Sequence, residues 1–260
     1  MSALTAFSGL PLSAIVVVAA LLGLIFGSFV TAISYRLPRG LNITTDRSCC
    51  QACGHVLTPA DLVPVLSWLR RGGACAHCGA KVSARYPAIE LVSMILFATA
   101  AIAVRDPIRL MTLLVMTPAL LAIAVIDLEQ GDIPTALVGF LVLPAFVWCW
   151  RSGGSLPIGL GIAALVIILA VAAHRGIPRE SRLGGIFVIG GGDVKLLAVA
   201  AVALSVPSYF VFLIGAGVFG LLFGIYWRKR TGAASFPFGP ALSFALWSAM
   251  ALPLPFPLTM

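Results

Sequence analysis

The sequence predicts an all-α, polytopic membrane protein with about eight transmembrane helices and one small polar loop domain. Of its 260 residues, 60% are hydrophobic and only 10% are charged. An ordinary soluble domain carries roughly 25% charged residues. Eight apolar stretches are about as long as the ~20 residues that a helical span requires.

The predicted spans follow one another with a single long interruption. They cover 12–35, 86–104, 108–126, 133–150, 156–174, 186–204, 208–227 and 238–256. No basic residue precedes the first stretch, which is longer than a typical signal core, so we expect it to persist as a helix. The domains predicted are a first transmembrane helix (1–35), a zinc-ribbon-like loop domain (36–85) and a seven-helix membrane domain (86–260).

Basic residues predict the orientation of the spans, because Lys and Arg accumulate in cytoplasmic loops. Thirteen of the 17 basic residues fall in 36–85, 175–182 and 228–230. An eight-span topology puts these three segments on one side, which we expect to be the cytoplasm. Asp127 and Asp193 then lie at cytoplasmic ends of spans. The net charge of +8 predicts contact with anionic membrane lipids rather than nucleic acid, because no aromatic-interleaved basic module is present.

Five of the six cysteines lie in the polar loop. Cys50 and Cys53 form one CxxC pair, Cys75 and Cys78 form a second, and 21 residues separate the pairs. Four thiolates at this spacing predict a closed, structural zinc site. A disulfide pair is the competing interpretation, but stable disulfides are rare in the reducing cytoplasm; free thiols are the third.

Other side chains near the pairs leave alternatives open. Cys49 adjoins Cys50 and could replace it as a ligand, although the CxxC spacing favours Cys50. His55 and His77 are possible spare ligands or surface residues. Cys149, inside a predicted span, is expected to be a small core residue.

Two aspartates at the edges of apolar stretches are the candidate catalytic residues. Asp127 ends one stretch, and Asp193 follows Gly190–Gly192 at the start of another. Carboxylates beside hydrocarbon are costly and functional by default, and aspartyl hydrolysis needs two that share a proton. The helix dipole favours the anion at 193 and disfavours it at 127, the asymmetry that an acid and base pair needs. Glu90, Glu129 and Asp132 are expected to be solvated interfacial residues.

These motifs, in this order, resemble the type IV prepilin peptidase and N-methyltransferase family, whose members are GxGD aspartyl proteases. The resemblance covers nearly the whole chain. Its blocks are Gly27-Ser28-Phe29, Arg36-Leu37-Pro38, the cysteine pairs, Tyr86-Pro87-Ala88-Ile89-Glu90, Ile126-Asp127 with Ile133-Pro134, Gly190–Leu197 and Phe238-Gly239-Pro240. Two positions depart from the family pattern: Thr135 replaces a usual aspartate, and Gln51 a common proline.

The resemblance implies a bifunctional enzyme of the bacterial inner membrane. It would remove the basic leader of type IV prepilins or type II secretion pseudopilins after a glycine, at the cytoplasmic face, with Asp127 and Asp193 as catalytic residues. It would also N-methylate the new amino terminus with S-adenosylmethionine. The sequence shows no glycine-rich fingerprint for that cofactor, so no residue is assigned to it.

Three other functions are compatible with parts of the pattern. A presenilin-like intramembrane protease also uses a GxGD aspartate, but no late PAL signature is present. Paired intramembrane acids could relay protons in a transporter, although the two halves share no repeat. A membrane scaffold could use the zinc loop to bind partners.

Overall fold

The computed structural model describes residues 11–43, 45, 47–176, 190–233 and 235–252, with the backbone alone for 173–176. Across this part of the chain the secondary structure is helical, with two isolated antiparallel bridges, Cys49 with Val56 and Ala74 with Lys81. The α-helices are α1 (Leu12–Arg36), α2 (Leu66–Arg70), α3 (Arg85–Ala103), α4 (Pro107–Gln130), α5 (Thr135–Arg151), α6 (Leu156–Gly176), α7 (Gly191–Ala203), α8 (Val206–Thr231) and α9 (Gly239–Ala251). Leu37–Arg39 and Pro59–Leu62 form 3-10 helices.

The prediction of an all-α membrane protein is confirmed. Within the described ranges, four segments are long and apolar enough to cross a membrane: Leu12–Arg39, Arg85–Ala103, Pro107–Gln130 and Val206–Thr231. Thr135–Arg151 and Leu156–Ala172 are shorter apolar helices. Together with α7 and α9, they follow the eight predicted stretches in order along the chain.

Three boundaries differ from the predicted ones. Helix α4 continues to Gln130, which puts Asp127 inside its last turn rather than at its end. Helix α7 begins at Gly191, because Gly190 has an extended backbone (φ −61°, ψ 148°). Helix α9 ends at Ala251. Residues 177–189, with Arg179 and Arg182 of the predicted basic loop, and residues 253–260 lie outside the described part of the chain.

The chain divides into two compact units, residues 1–107 and 108–260. In the first unit α1 packs closely against α3 at two glycines. A Cβ atom on Gly23 would lie 2.7 Å from the Cα atom of Met94, and one on Gly27 would lie 2.6 Å from the Cα atom of Glu90. Small residues four apart allow two membrane helices to approach to backbone contact.

The loop of the first unit is fastened to these helices and to itself by side chains. Arg36, at the end of α1, donates hydrogen bonds to the Ile43 carbonyl (3.1 Å) and the Ser48 hydroxyl (3.5 Å). Trp68 on α2 donates through Nε1 to the Val82 carbonyl at 3.0 Å. These contacts stabilise the two ends of the loop where it leaves the helices.

In the second unit α4 is the central helix. It carries fourteen buried residues, among them Asp127. Helix α9 is joined to it by a buried hydrogen bond from Trp247 Nε1 to Thr117 Oγ1 at 3.0 Å. Helix α7 packs against α5 and α6. This core carries both candidate aspartates.

Candidate active site

Asp127 is buried in the last turn of α4, with 6% of its surface exposed. Its Oδ2 atom accepts a hydrogen bond of 2.7 Å from the backbone N–H of Gly239. The helix ends at Gln130 and is followed by Gly131, whose φ of +67° is a left-handed conformation that suits glycine. The carboxylate is therefore fixed by a main-chain donor from the start of a distant helix.

The Phe238-Gly239-Pro240 segment supplies that donor, and each of its residues has a distinct role. A Cβ atom on residue 239 would lie 2.7 Å from Asp127 Oδ2, so only glycine fits there. Pro240 occupies the first turn of α9, where its missing N–H costs nothing. Phe238 packs onto Gly220 of α8, where a side chain would clash with its ring. Sequence analysis treated this segment as a family marker only and missed its contact with Asp127.

Asp193 lies in the first turn of α7 and is half-buried. Its Oδ2 atom accepts a hydrogen bond of 3.0 Å from the backbone N–H of Gly190, three residues earlier. An acidic residue at this position satisfies a donor at the helix start and interacts favourably with the helix dipole. The position that the sequence predicted for Asp193, near a helix N-terminus, agrees with this geometry.

Close packing at Gly192 brings the start of α7 against the segment that follows Asp127. A Cβ atom on Gly192 would lie 2.6 Å from the Cβ atom of the buried Ile133. Asp193 lies within the electrostatic influence of Asp127, and Asp127 also experiences the charge of Asp132. The fold thus brings together two carboxylates that are 66 residues apart in the sequence.

Lys195 does not neutralise either aspartate through a hydrogen bond in the described structure. Its Nζ atom donates instead to the Thr135 hydroxyl at 2.7 Å. This bond ties the first turn of α7 to the first residue of α5, alongside the contact between Gly192 and Ile133. Thr135, at the position where the family usually has aspartate, therefore offers Lys195 a neutral hydroxyl instead of a carboxylate.

The other acids differ in their environments. Glu129 and Asp132 are exposed, as expected for interfacial residues. The same expectation for Glu90 is wrong, because its side chain is only 7% exposed and is hydrogen-bonded to the Val65 backbone N–H. Its burial follows from the close backbone contact of Gly27 on α1 with Glu90 on α3.

The four predicted cysteine ligands lie together, with all Sγ atoms of Cys50, Cys53, Cys75 and Cys78 within 4.8 Å of one another. Each pair sits in a turn of the same design. In the first, the Cys50 N–H bonds the His55 carbonyl and the Gly54 N–H bonds the Cys50 carbonyl. In the second, the Cys75 N–H bonds the Ala80 carbonyl and the Gly79 N–H bonds the Cys75 carbonyl. Gly54 and Gly79 both have a φ near +70° (72° and 71°). The two turns, the cysteine knuckles, therefore share one backbone conformation.

Backbone hydrogen bonds favour thiolates in this cluster. The N–H groups of Cys53 and Ala52 lower the pKa of Cys50 to about 6. The N–H groups of Cys78 and His77 lower the pKa of Cys75. Although the N–H of His55 acts to lower the pKa of Cys53, desolvation and the thiols of Cys78 and Cys50 together raise it to about 11.

The cluster fits a tetrahedral metal ion. Metal–sulfur bonds of about 2.3 Å place two thiolate ligands about 3.8 Å apart, and the Sγ atoms of Cys50 and Cys78 are 3.9 Å apart. Cys49 stands outside the cluster, paired through its backbone with Val56. The rings of His55 and His77 stack on each other with centroids 4.6 Å apart. Cys149 is buried, as expected for a core residue.

These features define a class: polytopic helical membrane proteins that pair two aspartates at helix ends and carry a loop with two cysteine knuckles. Comparisons with known proteins identify the family. Residues 21–104 match the bacterial peptidase A24 N-terminal domain, and residues 114–225 match the type IV leader peptidase family. No solved structure matches the chain.

Similar proteins are named prepilin leader peptidase/N-methyltransferase. The protein of Bacillus subtilis (strain 168) is 34% identical, and the alignment covers 85% of this chain and 88% of the relative. That of Burkholderia pseudomallei (strain K96243) is 33% identical, with 92% and 86% covered. That of Aeromonas salmonicida (strain A449) is 30% identical, with 88% of each covered. The chain belongs to the prepilin leader peptidase/N-methyltransferase family.

Proposed function

We propose that this protein is a membrane aspartyl endopeptidase that removes the leader of type IV prepilins or type II secretion pseudopilins and N-methylates the new amino terminus. The observation that carries the peptidase proposal is the close packing of Gly192 on Ile133, which brings Asp193 within the electrostatic influence of Asp127, with each carboxylate held by one backbone N–H. Family membership supports the substrate class. A scaffold would not need two carboxylates fixed in this manner, and family membership favours a peptidase over a transporter.

The proposed mechanism uses the two carboxyl groups as a pair that shares one proton. Like charges at short range oppose double ionisation, so one group stays protonated. The ionised group removes a proton from a water molecule, whose oxygen attacks the scissile carbonyl carbon. The protonated group donates to the carbonyl oxygen. Collapse of the tetrahedral intermediate breaks the C–N bond, and a carboxyl group returns a proton to the leaving nitrogen.

The two hydrogen bonds to backbone determine which carboxylate oxygens are free for this chemistry. Oδ2 of Asp127 is occupied by Gly239, and Oδ2 of Asp193 by Gly190. Oδ1 of each group then remains for water, the substrate carbonyl or the shared proton. Because backbone donors are rigid, both carboxylates are oriented before the substrate binds.

We propose zinc as the ion held by Cys50, Cys53, Cys75 and Cys78. Four thiolates select zinc among common cytoplasmic ions and leave no open coordination position, so the ion would stabilise the loop rather than take part in hydrolysis. A loop of this size buries little core, and the metal would supply much of its folding free energy.

Methyl transfer requires S-adenosylmethionine, which supplies an electrophilic methyl group to the new terminal amine. None of the described residues forms a glycine-rich strand-to-helix turn, the usual cradle of a nucleotide cofactor. The described residues therefore contain no recognisable binding motif for this cofactor.

We also propose that the cysteine loop and the aspartate pair face the cytoplasm of a bacterial inner membrane. The proposal rests on the asymmetry of the basic residues. The same residues, Arg228 to Arg230 at the end of α8 among them, would contact anionic lipids.

The test is cleavage of a prepilin by the purified full-length chain in detergent. Wild-type protein should cut after the leader glycine. Asp127→Asn and Asp193→Asn should each lose at least about 10²-fold in rate, the lower range for removal of a general acid or base. Asp132→Asn, which removes a neighbouring exposed charge, is the matched control and should retain most activity. Full-rate cleavage by either of the first two variants would contradict the proposal.

A further inference from the structure

The loop contains one strained residue, Val65. It is the only non-glycine residue in the described part of the chain with a positive φ (φ 60°, ψ −50°). A hydrogen bond of 2.6 Å from the Leu66 N–H to the Pro64 carbonyl closes a γ-turn around it. This conformation is rare and strained, above all for a β-branched side chain. Such strain persists only where the surrounding structure imposes it.

The buried carboxylate of Glu90 accepts a hydrogen bond from this turn. Glu90 Oε2 accepts the Val65 N–H at 2.7 Å, and the Ser28 hydroxyl bonds the same carboxyl group. Glu90 lies five residues after the start of α3, which is about 7–8 Å along the helix axis. The carboxylate therefore holds the turn beside the second turn of a helix that is long and apolar enough to cross a membrane.

The turn presents four apolar side chains to the outside of the loop. We call Leu62, Val63, Leu66 and Leu69 the apolar ridge. Leu66 and Leu69 are 66% and 61% exposed, and Leu62 and Val63 are each 41% exposed. The opposite side of α2 faces inward, where Trp68 bonds Val82 and lies over Gly73. A polar loop that exposes a contiguous apolar cluster marks a contact surface.

The net charge beside the ridge is positive. Arg70 and Arg71 follow directly and are exposed, and Arg39 lies at the end of the first span. The nearby acid, Asp61, is paired with Arg71. Exposed leucines next to arginines form the pattern of a segment that lies in a membrane interface and binds anionic lipids.

We propose that the apolar ridge docks into the anionic lipid leaflet, with the Glu90–Val65 contact holding it at headgroup depth. Anionic headgroups complement the arginines, and acyl chains take up the leucines. The loop domain would thereby be fixed at its base to the bilayer, while its cysteine knuckles stay in water. Docking of the apolar ridge requires neither a particular side of the membrane nor the proposed reaction.

The experiment is site-specific photo-cross-linking of the full-length chain in lipid nanodiscs. A benzophenone amino acid replaces Leu66, Leu69 or, as the matched control, Val56, which is also exposed (41%) but lies beside the cysteine knuckle. We expect lipid adducts at 66 and 69, several-fold more than at 56. We also expect more of them in phosphatidylglycerol with phosphatidylcholine than in phosphatidylcholine alone.

A second pair of variants tests the role of Glu90. Glu90→Gln keeps an oxygen that can accept the Val65 N–H, so lipid labelling at 66 should persist. Glu90→Ala leaves that N–H unpaired and should reduce the labelling several-fold. The proposal is overturned if residues 66 and 69 label no more lipid than residue 56. It is equally overturned if their adducts are with a second copy, another segment of the chain or an added prepilin.

Discussion

Replacing Gly239 with alanine should slow prepilin cleavage about 100-fold without unfolding the protein. The added methyl group would lie 2.7 Å from Oδ2, 2.9 Å from Cγ and 3.0 Å from Cβ of Asp127. Ordinary van der Waals contact begins at 3.4 Å, so the carboxylate or the start of α9 must move by about 0.7 Å. Misplacement of a reacting group by about 1 Å costs roughly 10²-fold in rate.

The loss should appear in kcat more than in KM, because the variant displaces a group that reacts rather than one that grips the leader. Cleavage kinetics on a purified prepilin measure both constants, and thermal unfolding reports on the fold. Gly217→Ala is the matched control, since no atom lies within 4 Å of a Cβ atom at that position of α8. Alanine should stabilise that helix by up to about 1 kcal/mol and leave the rate unchanged.

A Gly239→Ala variant that is folded and cleaves at the wild-type rate would refute this reasoning. It would mean that the position of Asp127 does not depend on the backbone contact, or that Asp127 does not react. If the melting temperature of Gly239→Ala falls sharply, the double variant Asp127→Asn with Gly239→Ala is compared with Asp127→Asn alone. If Gly239 acts through Asp127, the second change adds no further kinetic loss to the first.

Three further predictions concern contacts around the site and in the loop. Thr135→Val removes the bond to Lys195 and should lower kcat, whereas Thr135→Asp, which restores an acceptor, should rescue it. The Thr58 hydrogen bonds and the Arg71 charge lower the pKa of Asp61, so the stabilisation that Asp61 gives the turn at 58–61 is fully present above about pH 4 and is lost as the pH falls through that lowered pKa. Hydrogen exchange should show this loss in wild type but not in Asp61→Asn. Cys50→Ser should lose bound zinc by elemental analysis, whereas Cys49→Ser should keep it.

Sequence reasoning recovered those parts of the protein that follow from local pattern. Runs of apolar residues predicted the helices, because length and hydropathy alone determine whether a segment can cross a bilayer. The repeated CxxC spacing predicted the cysteine cluster, because each knuckle is a local turn. Asp193 was placed correctly at a helix start, because glycines before an acid are a local signal for one.

Contacts between distant segments could not be predicted in this way. The bond from Gly239 to Asp127 joins residues that are 112 positions apart, and nothing near residue 239 signals its partner. Gly27 and Gly192 each pack closely against another segment. They gave only a weak sequence signal for these contacts, since an unexplained glycine in an apolar stretch often marks a close approach of two backbones. Glu90 was misjudged because its burial results from one such approach.

The most direct test of the central claim is a double-mutant cycle on Asp127 and Asp193. Rates of prepilin cleavage are measured for wild type, Asp127→Asn, Asp193→Asn and the double variant, under single-turnover conditions. If the two carboxylates act as one unit, the double variant is no slower than the slower single variant. Losses that multiply would contradict the account, because they would show that the two aspartates act independently.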